Sequence, residues 1–338
     1  MMLIKLTCVV VFTVAAIALA GPTLSPPPGP VTESGRFGTR SMIPQLPHTI
    51  TASGSYYLGA NLTGIAGQHG LTIDADDVTI DLNGFALVGV PGSLEGIVVA
   101  GTHINLGIHN GTVRDWGQHG IMLDGGKNAV IEGVRMSGNG QSGIFADDTT
   151  VIRSCVSVSN GRDGIVGRTI VVVDCNVNDN TEDGIEVGIG SVVANCVATN
   201  SGFRGIASSS RTTIVGCSSS SNQHGIAVFP DSTVSGCTVS ENSSGGIAVQ
   251  ERCTVRDCSS TGNGTFGIGV TGAGGARLDG NNVADNASGI DASASLGNLI
   301  IRNSAAGNGT NYNILPGNDV GPIGSAATST SPWANISF

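Results

Sequence analysis

Residues 143–183 read GIFADDTTVIRSCVSVSNGRD followed by GIVGRTIVVVDCNVNDNTED, two segments of 21 and 20 residues built to one plan. Each opens on Gly-Ile, each places an aliphatic residue three positions before a cysteine (Ile152 and Cys155, Val172 and Cys175), and each closes on a polar turn after an asparagine. Outward from this pair, a glycine followed by Ile or Leu recurs at Gly70, Gly96, Gly120, Gly143, Gly164, Gly184, Gly205, Gly225, Gly246, Gly267 and Gly289. From Gly120 onward the intervals lie between 20 and 23 residues, and Cys155, Cys175, Cys196, Cys217, Cys237 and Cys258 repeat at 20 or 21. Two landmarks sharing one period define one coil per period, the signature of a solenoid.

Within a coil, Ile165-Val166-Gly167, Thr150-Val151-Ile152 and Cys155-Val156-Ser157 read as short strands whose alternate residues share a face. Three columns are aliphatic or small: Ile165, Ile185, Ile206, Ile226 and Ile247; Ile152, Val172, Val193, Ile214, Val234 and Val255; and the cysteines. Stacked at the ~4.8 Å spacing of neighbouring strands, they predict a continuous core in an all-β solenoid with three short strands per coil. Ser154, Asp174, Asn195 and Gly216 are turn formers and mark the corners. A polar column, Asn139, Asn160, Asn180, Asn200, Asn222, Asn242, Asn263, Asn286 and Asn308, is expected to bond from coil to coil through its amides. In-register thiols point the same way and cannot converge to disulfide geometry, so the ladder cysteines are predicted to be free. Cys253 lies off that ladder and is expected to be the exposed exception.

Composition agrees. Glycine numbers 52, aromatic residues make up 4% and charged residues 12%, which suits strands and tight turns. Residues 1–20 have the form of a signal peptide, with Lys5, an apolar run from Leu6 to Leu19 and a small-x-small Ala18-Leu19-Ala20 site. The run is shorter than a membrane-spanning helix and no second one follows, so export is expected, with no transmembrane segment after cleavage, to an extracellular or cell-surface location. The remaining chain has 14 basic and 25 acidic residues, a balance that excludes nucleic acid as a partner and suits divalent cations. Residues 21–47 read as a proline-rich tether, 48–95 as an N-terminal cap and first coils, 96–312 as the helix proper and 313–338 as a capping tail with Trp333 and Phe338 as apolar plugs.

The Gly-Ile-x-Val, aliphatic-x-x-Cys and corner-Asn columns resemble the right-handed parallel β-helix repeat of the pectin-lyase-like superfamily, over roughly residues 65–312. Ile50 to Gly89 is similar to the N-terminal segment of secreted bacterial members. The resemblance implies a right-handed coil. It does not choose among pectate lyases, polygalacturonases, mannuronan epimerases and non-catalytic members.

Chemistry is sought in the residues before each landmark glycine, His69, Glu95, His119, Ser142, Asp163, Asp183, Arg204 and His224, which are expected to line a solvent-facing ridge. The following strand presents Phe145 and Glu186 outward, with Asp124, Asp147 and Arg168 just beyond. The densest cluster joins Asp147, Arg162, Asp163, Arg168, Glu182, Asp183, Glu186 and Arg204. Stacked carboxylates repel, so Asp163, Asp183 and Glu186 invite a shared proton or calcium, while arginine suits an acidic sugar. Trp116, where later coils have Asn, is the expected saccharide-stacking aromatic, with Phe145 nearby and His119 beside it. The expected function is a scaffold that binds extracellular polysaccharide. The alternatives are a polysaccharide lyase or related enzyme acting on acidic glycans and a purely structural surface solenoid.

Overall fold

The computed structural model describes residues 40–338; the signal-peptide reading and residues 21–39 of the tether lie outside them. Among the described residues every element is a β-strand, and no helix is long and apolar enough to cross a membrane. A 13-stranded parallel sheet runs the length of the solenoid, from His48–Ile50 through Ile165–Gly167 and Ile185–Val187 to Thr310–Ile314. The other two strands of each coil join a second, 26-stranded sheet. The first strand, Ser41–Ile43, pairs with Tyr56–Leu58 and buries Ile43, so the fold begins inside the stretch assigned to the tether: an apolar residue there reaches the core.

The expected isoleucine column is in perfect register: Ile144, Ile165, Ile185, Ile206, Ile226, Ile247 and Ile268 face one another across successive strands, all fully buried. Each such side chain contributes about 1.5–3 kcal/mol by leaving water.

Three corners shape each coil, and one device makes nearly all of them, the corner at Thr169 being an exception. A residue takes the left-handed backbone conformation, and the next residue turns its side chain inward. At the first corner Ser154, Asp174, Asn195 and Gly216 have φ of 52°, 54°, 53° and 63°, each followed by a buried ladder cysteine. Each thiol points at a backbone carbonyl, as Cys196 Sγ does at Ala194 O, 3.2 Å away. At Asn281 the column changes from thiol to amide and continues through Asn303 and Asn335, linked Nδ2 to Oδ1 at 2.9 and 3.1 Å.

At the second corner the amide column behaves as expected over most of its length. Asn160 Oδ1 accepts from both the backbone N–H (3.2 Å) and Nδ2 (3.0 Å) of Asn139, and Asn180 does the same for Asn160 at 3.0 and 2.9 Å. One member differs. Asn200 is not in the ladder: it takes the left-handed corner (φ 53°), and the inward position belongs to Ser201. Trp116 stands at the start of the same inward column, its N–H donating to Asn139 Oδ1. It is therefore 1% exposed, packed over Gly64, Gly70 and Gly96 with Nε1 donating to Leu87 O, and is no saccharide platform.

Cys253 also differs from expectation. It follows Arg252, left-handed at a third corner, and is 1% exposed, held in the inward column whose preceding member is Ser232. Burial pushes its thiol pKa up. The tail folds back as expected, Asn335–Ser337 pairing with Ser304–Ala306, but Trp333 and Phe338 are 53% and 71% exposed and plug nothing; Asn335 is the buried residue there.

All seven described cysteines are free and buried. Thiol titration is expected to find almost none reactive in the native protein and all seven after denaturation without reductant. Ser201 interrupts the amide ladder, its hydroxyl buried without a partner, and Asn180 turns its amide to the carbonyls of Ser157 and Asn178. Ser201→Asn restores the link between Asn180 and Asn222 and is expected to raise stability by roughly 1 kcal/mol, measured by denaturant unfolding.

Candidate functional site

The pre-glycine column is not a solvent ridge between Glu95 and Asp183. Glu95, His119, Ser142, Asp163 and Asp183 are all buried, because each sits where the chain enters the long sheet and the coil above covers it. From His119 onward they form a ladder of acceptors for the column's own backbone. His119 Nδ1 accepts from Ser142 N at 3.3 Å, Ser142 Oγ donates to Asp163 Oδ2 at 3.2 Å, and Asp163 Oδ1 accepts from Asp183 N at 3.1 Å. Asp183 Oδ1 then accepts from Arg204 N at 2.8 Å, and the Arg204 guanidinium grips both oxygens of Asp183, Nε at 3.1 Å and Nη2 at 2.7 Å. Burial lowers the pKa of His119 against the opposing charge of Glu95, with the positive charge of Arg162 adding to the lowering, and the ring lies beside Phe145 (centroids 5.6 Å apart).

Glu186 completes the group. It is the outward residue of Ile185–Val187, half-buried, and one oxygen from each of Asp163, Asp183 and Glu186 lies within 4.8 Å of the others. The structure thus brings together the three carboxylates expected to hold a cation. Burial raises the pKa of Glu186, and the charges of Asp183 and Asp163 raise it further against Arg204. Asp163 is likewise raised, first by burial. Arg204 pairs with Asp183, and the charges that still press on Glu186 are those of Asp183 and Asp163, which a proton or a metal ion on the cluster would offset.

The other candidates separate from this core. Arg162 and Glu182 form an exposed pair at 3.2 Å, of the kind that contributes little. Asp147 is buried, accepting from Gly125 N at 3.2 Å, with Arg168 3.4 Å from its other oxygen. Asp124 is exposed and, among the described residues, makes no hydrogen bond to the cluster. An open groove of about 530 Å³ crosses the long sheet at Glu186, lined by Phe145, Val166 and Ile189 as apolar side chains and by Arg168, Asp148 and Glu186 as charged ones. Ile189, 51% exposed, is a further lining residue, and its sequence signal is an isoleucine set between Gly188 and Gly190 just after a strand. One coil further, Phe203 and Phe229 are each 43% exposed, with Arg204 stacked 4.7 Å from the Phe203 ring.

This geometry defines a class: a parallel β-helix carrying a charged, partly apolar patch on its long sheet. The chain belongs to the right handed beta helix region family, whose description matches residues 65–219 and 205–315. Its fold is that of the pectin-lyase-like superfamily. Among solved structures it is similar to the A-modules of two mannuronan C-5 epimerases of Azotobacter vinelandii. AlgE6 aligns with TM-score 0.57 and 13% identity over 88% of both chains; AlgE4 aligns with TM-score 0.53 and 18% identity over 84% of this chain and 86% of that one. No curated protein matches the sequence.

The raised carboxyl pKa values set a pH dependence. A native carboxyl that holds its proton more tightly than the unfolded chain adds stability below its unfolded pKa, and loses it as pH rises through the native value. Glu186→Gln removes this loss. Its melting temperature is expected to equal the parent's near pH 4 and to exceed it by about 2 °C at pH 7, measured by differential scanning calorimetry.

Proposed function

We propose that this protein is exported and binds an acidic polysaccharide along its long sheet, across the coils from Phe145 to Arg204. The carrying observation is the groove beside Glu186, which sets an apolar floor next to a guanidinium with little else to bind. Sugar rings present apolar faces suited to Phe145, Val166 and Ile189. Arg168, with 63% of its side chain exposed, offers its fork to a uronate carboxylate at the cost of one contact to Asp147. The similarity in fold to mannuronan C-5 epimerase modules supports a carbohydrate ligand, and the amino-terminal apolar run supports export.

Calcium is the proposed cofactor. Asp163, Asp183 and Glu186 would hold the ion, whose charge would take the place of a proton on the cluster in offsetting the repulsion among them. A second reading is catalytic: Glu186, its pKa raised at the edge of the groove, suits a general acid for a carbohydrate-active enzyme acting on acidic glycans.

Binding of polyuronate oligosaccharides by calorimetry, with calcium and with chelator, tests the proposal. Arg168→Ala is expected to weaken binding about tenfold and Glu186→Gln, which removes no ladder bond, to abolish the calcium dependence, both with the fold intact by circular dichroism. Undiminished binding by Arg168→Ala would falsify the groove as the site. Release of reducing or unsaturated ends by the parent, lost in Glu186→Gln, would establish the catalytic reading.

A further inference from the structure

The exposed Trp333 is unexplained by the core, by the ladders or by the groove on the long sheet. It stands over the other sheet, at the edge of a separate groove of about 430 Å³. The floor is apolar, from Leu299, Ile301, Val320 and Pro322, and only Arg277, Asp319 and Ser331 bring polar side chains to it.

The backbone that carries the indole is held in place. Ser331 Oγ accepts from Trp333 N at 3.2 Å, and Trp333 O accepts from Arg302 N at 3.3 Å. The Arg302 guanidinium lies 5.8 Å from the ring centroid without lining the groove, so it backs the indole from outside. Arg302 is itself fixed by Asp279, 6% exposed, whose oxygens accept from it at 2.7 Å each. Arg277 is anchored to the same carboxylate through Nε and Nη2, at 3.1 and 2.7 Å, which leaves its Nη1 edge free of that partner. A buried aspartate thus orients two guanidinium groups, one behind the aromatic ring and one in the groove.

We propose that this groove is a second binding site, and that its ligand is an uncharged saccharide. A pyranose is apolar on its face and rimmed by hydroxyls, which matches a flat indole and aliphatic floor bordered by one donor, Arg277, and one acceptor, Asp319. The alternatives fit less well. A purely apolar ligand would desolvate Arg277 and Asp319 without partners. An anionic sugar would meet the charge of Asp319, while the charge of Arg277 is already balanced by Asp279 even though its Nη1 edge can donate. The site lies on a different sheet from Glu186 and Arg168, so the two can be disabled separately.

Intrinsic fluorescence gives a direct readout, because the chain has two tryptophans and the other, Trp116, is buried. The full chain is titrated with neutral gluco-, xylo- and chito-oligosaccharides and with oligogalacturonate and oligomannuronate. At least one neutral oligosaccharide is expected to bind and shift emission to the blue. With affinity measured by calorimetry, Trp333→Ala is expected to weaken it by about tenfold, Trp333→Phe to retain most of the affinity, and Arg168→Ala to leave it unchanged. Near-ultraviolet circular dichroism checks that the variants are folded. The proposal is overturned if no neutral oligosaccharide binds, if binding leaves the emission and the Trp333→Ala affinity unchanged, or if the acidic oligosaccharides bind better through Trp333. It is also overturned if sedimentation shows that Trp333 is covered by a second copy of the chain.

Discussion

Everything in this molecule depends on the way a coil turns. A parallel strand can only be followed by another if the backbone bends sharply, and bending leaves N–H groups that must be satisfied inside a dry core. Here the bend is made by a left-handed residue, and along most of the amide columns the N–H of the inward residue after it finds an acceptor on the same column in the adjacent coil. Asparagine meets that need with both halves of its amide, as Asn139, Asn160 and Asn180 do. The acidic column obeys the same rule with other groups: Asp163 and Asp183 accept the backbone N–H of the residue one coil on. Structure and candidate chemistry therefore draw on the same carboxylates, and the distinctive feature of the site is that its acids are required by the fold before any ligand arrives.

That double duty explains the electrostatics. Asp183 is neutralised by Arg204 and shielded from water, Asp163 is buried against it, and Glu186 is added where no further counter-charge is in place. Burial is the largest influence on the pKa of Asp163 and Glu186, with repulsion from neighbouring acids behind it. Exposed pairs such as Arg162 and Glu182 are similar in sequence but differ in consequence, because water already screens them.

Most of the fold was legible in the sequence because periodicity repeats the same evidence in coil after coil. The isoleucine column, the free cysteines and the corners at Ser154, Asp174, Asn195 and Gly216 all follow from it. What escaped was the direction of side chains outside the strands. Alternation tells in from out along Ile185–Val187, but Asp163 and Trp116 lie at corners, where alternation lapses and residue type misleads. Asn200 was misassigned by one position because Asn and Ser both suit a bend; only the backbone distinguishes the left-handed residue from the inward one. Trp333 lies beyond the last repeat, where no column exists to fix its environment. The three clustered carboxylates were legible because they fall on adjacent coils, whereas the commitment of Asp183 to Arg204 was not.

A solenoid held by nearest-neighbour ladders tolerates changes in length unevenly. Between Gly225 and Gly289, where each coil offers its neighbours nearly the same thiols, amides and isoleucines, a whole coil can be duplicated or deleted without disturbing any partnership two coils away. Between Ser142 and Arg204 the partners differ at every step, and an inserted coil would part Asp163 from Asp183 or Asp183 from Arg204. Length is thus free to drift in one part of the molecule and is pinned in the other, so related chains that keep this chemistry should vary in number of turns only outside that window.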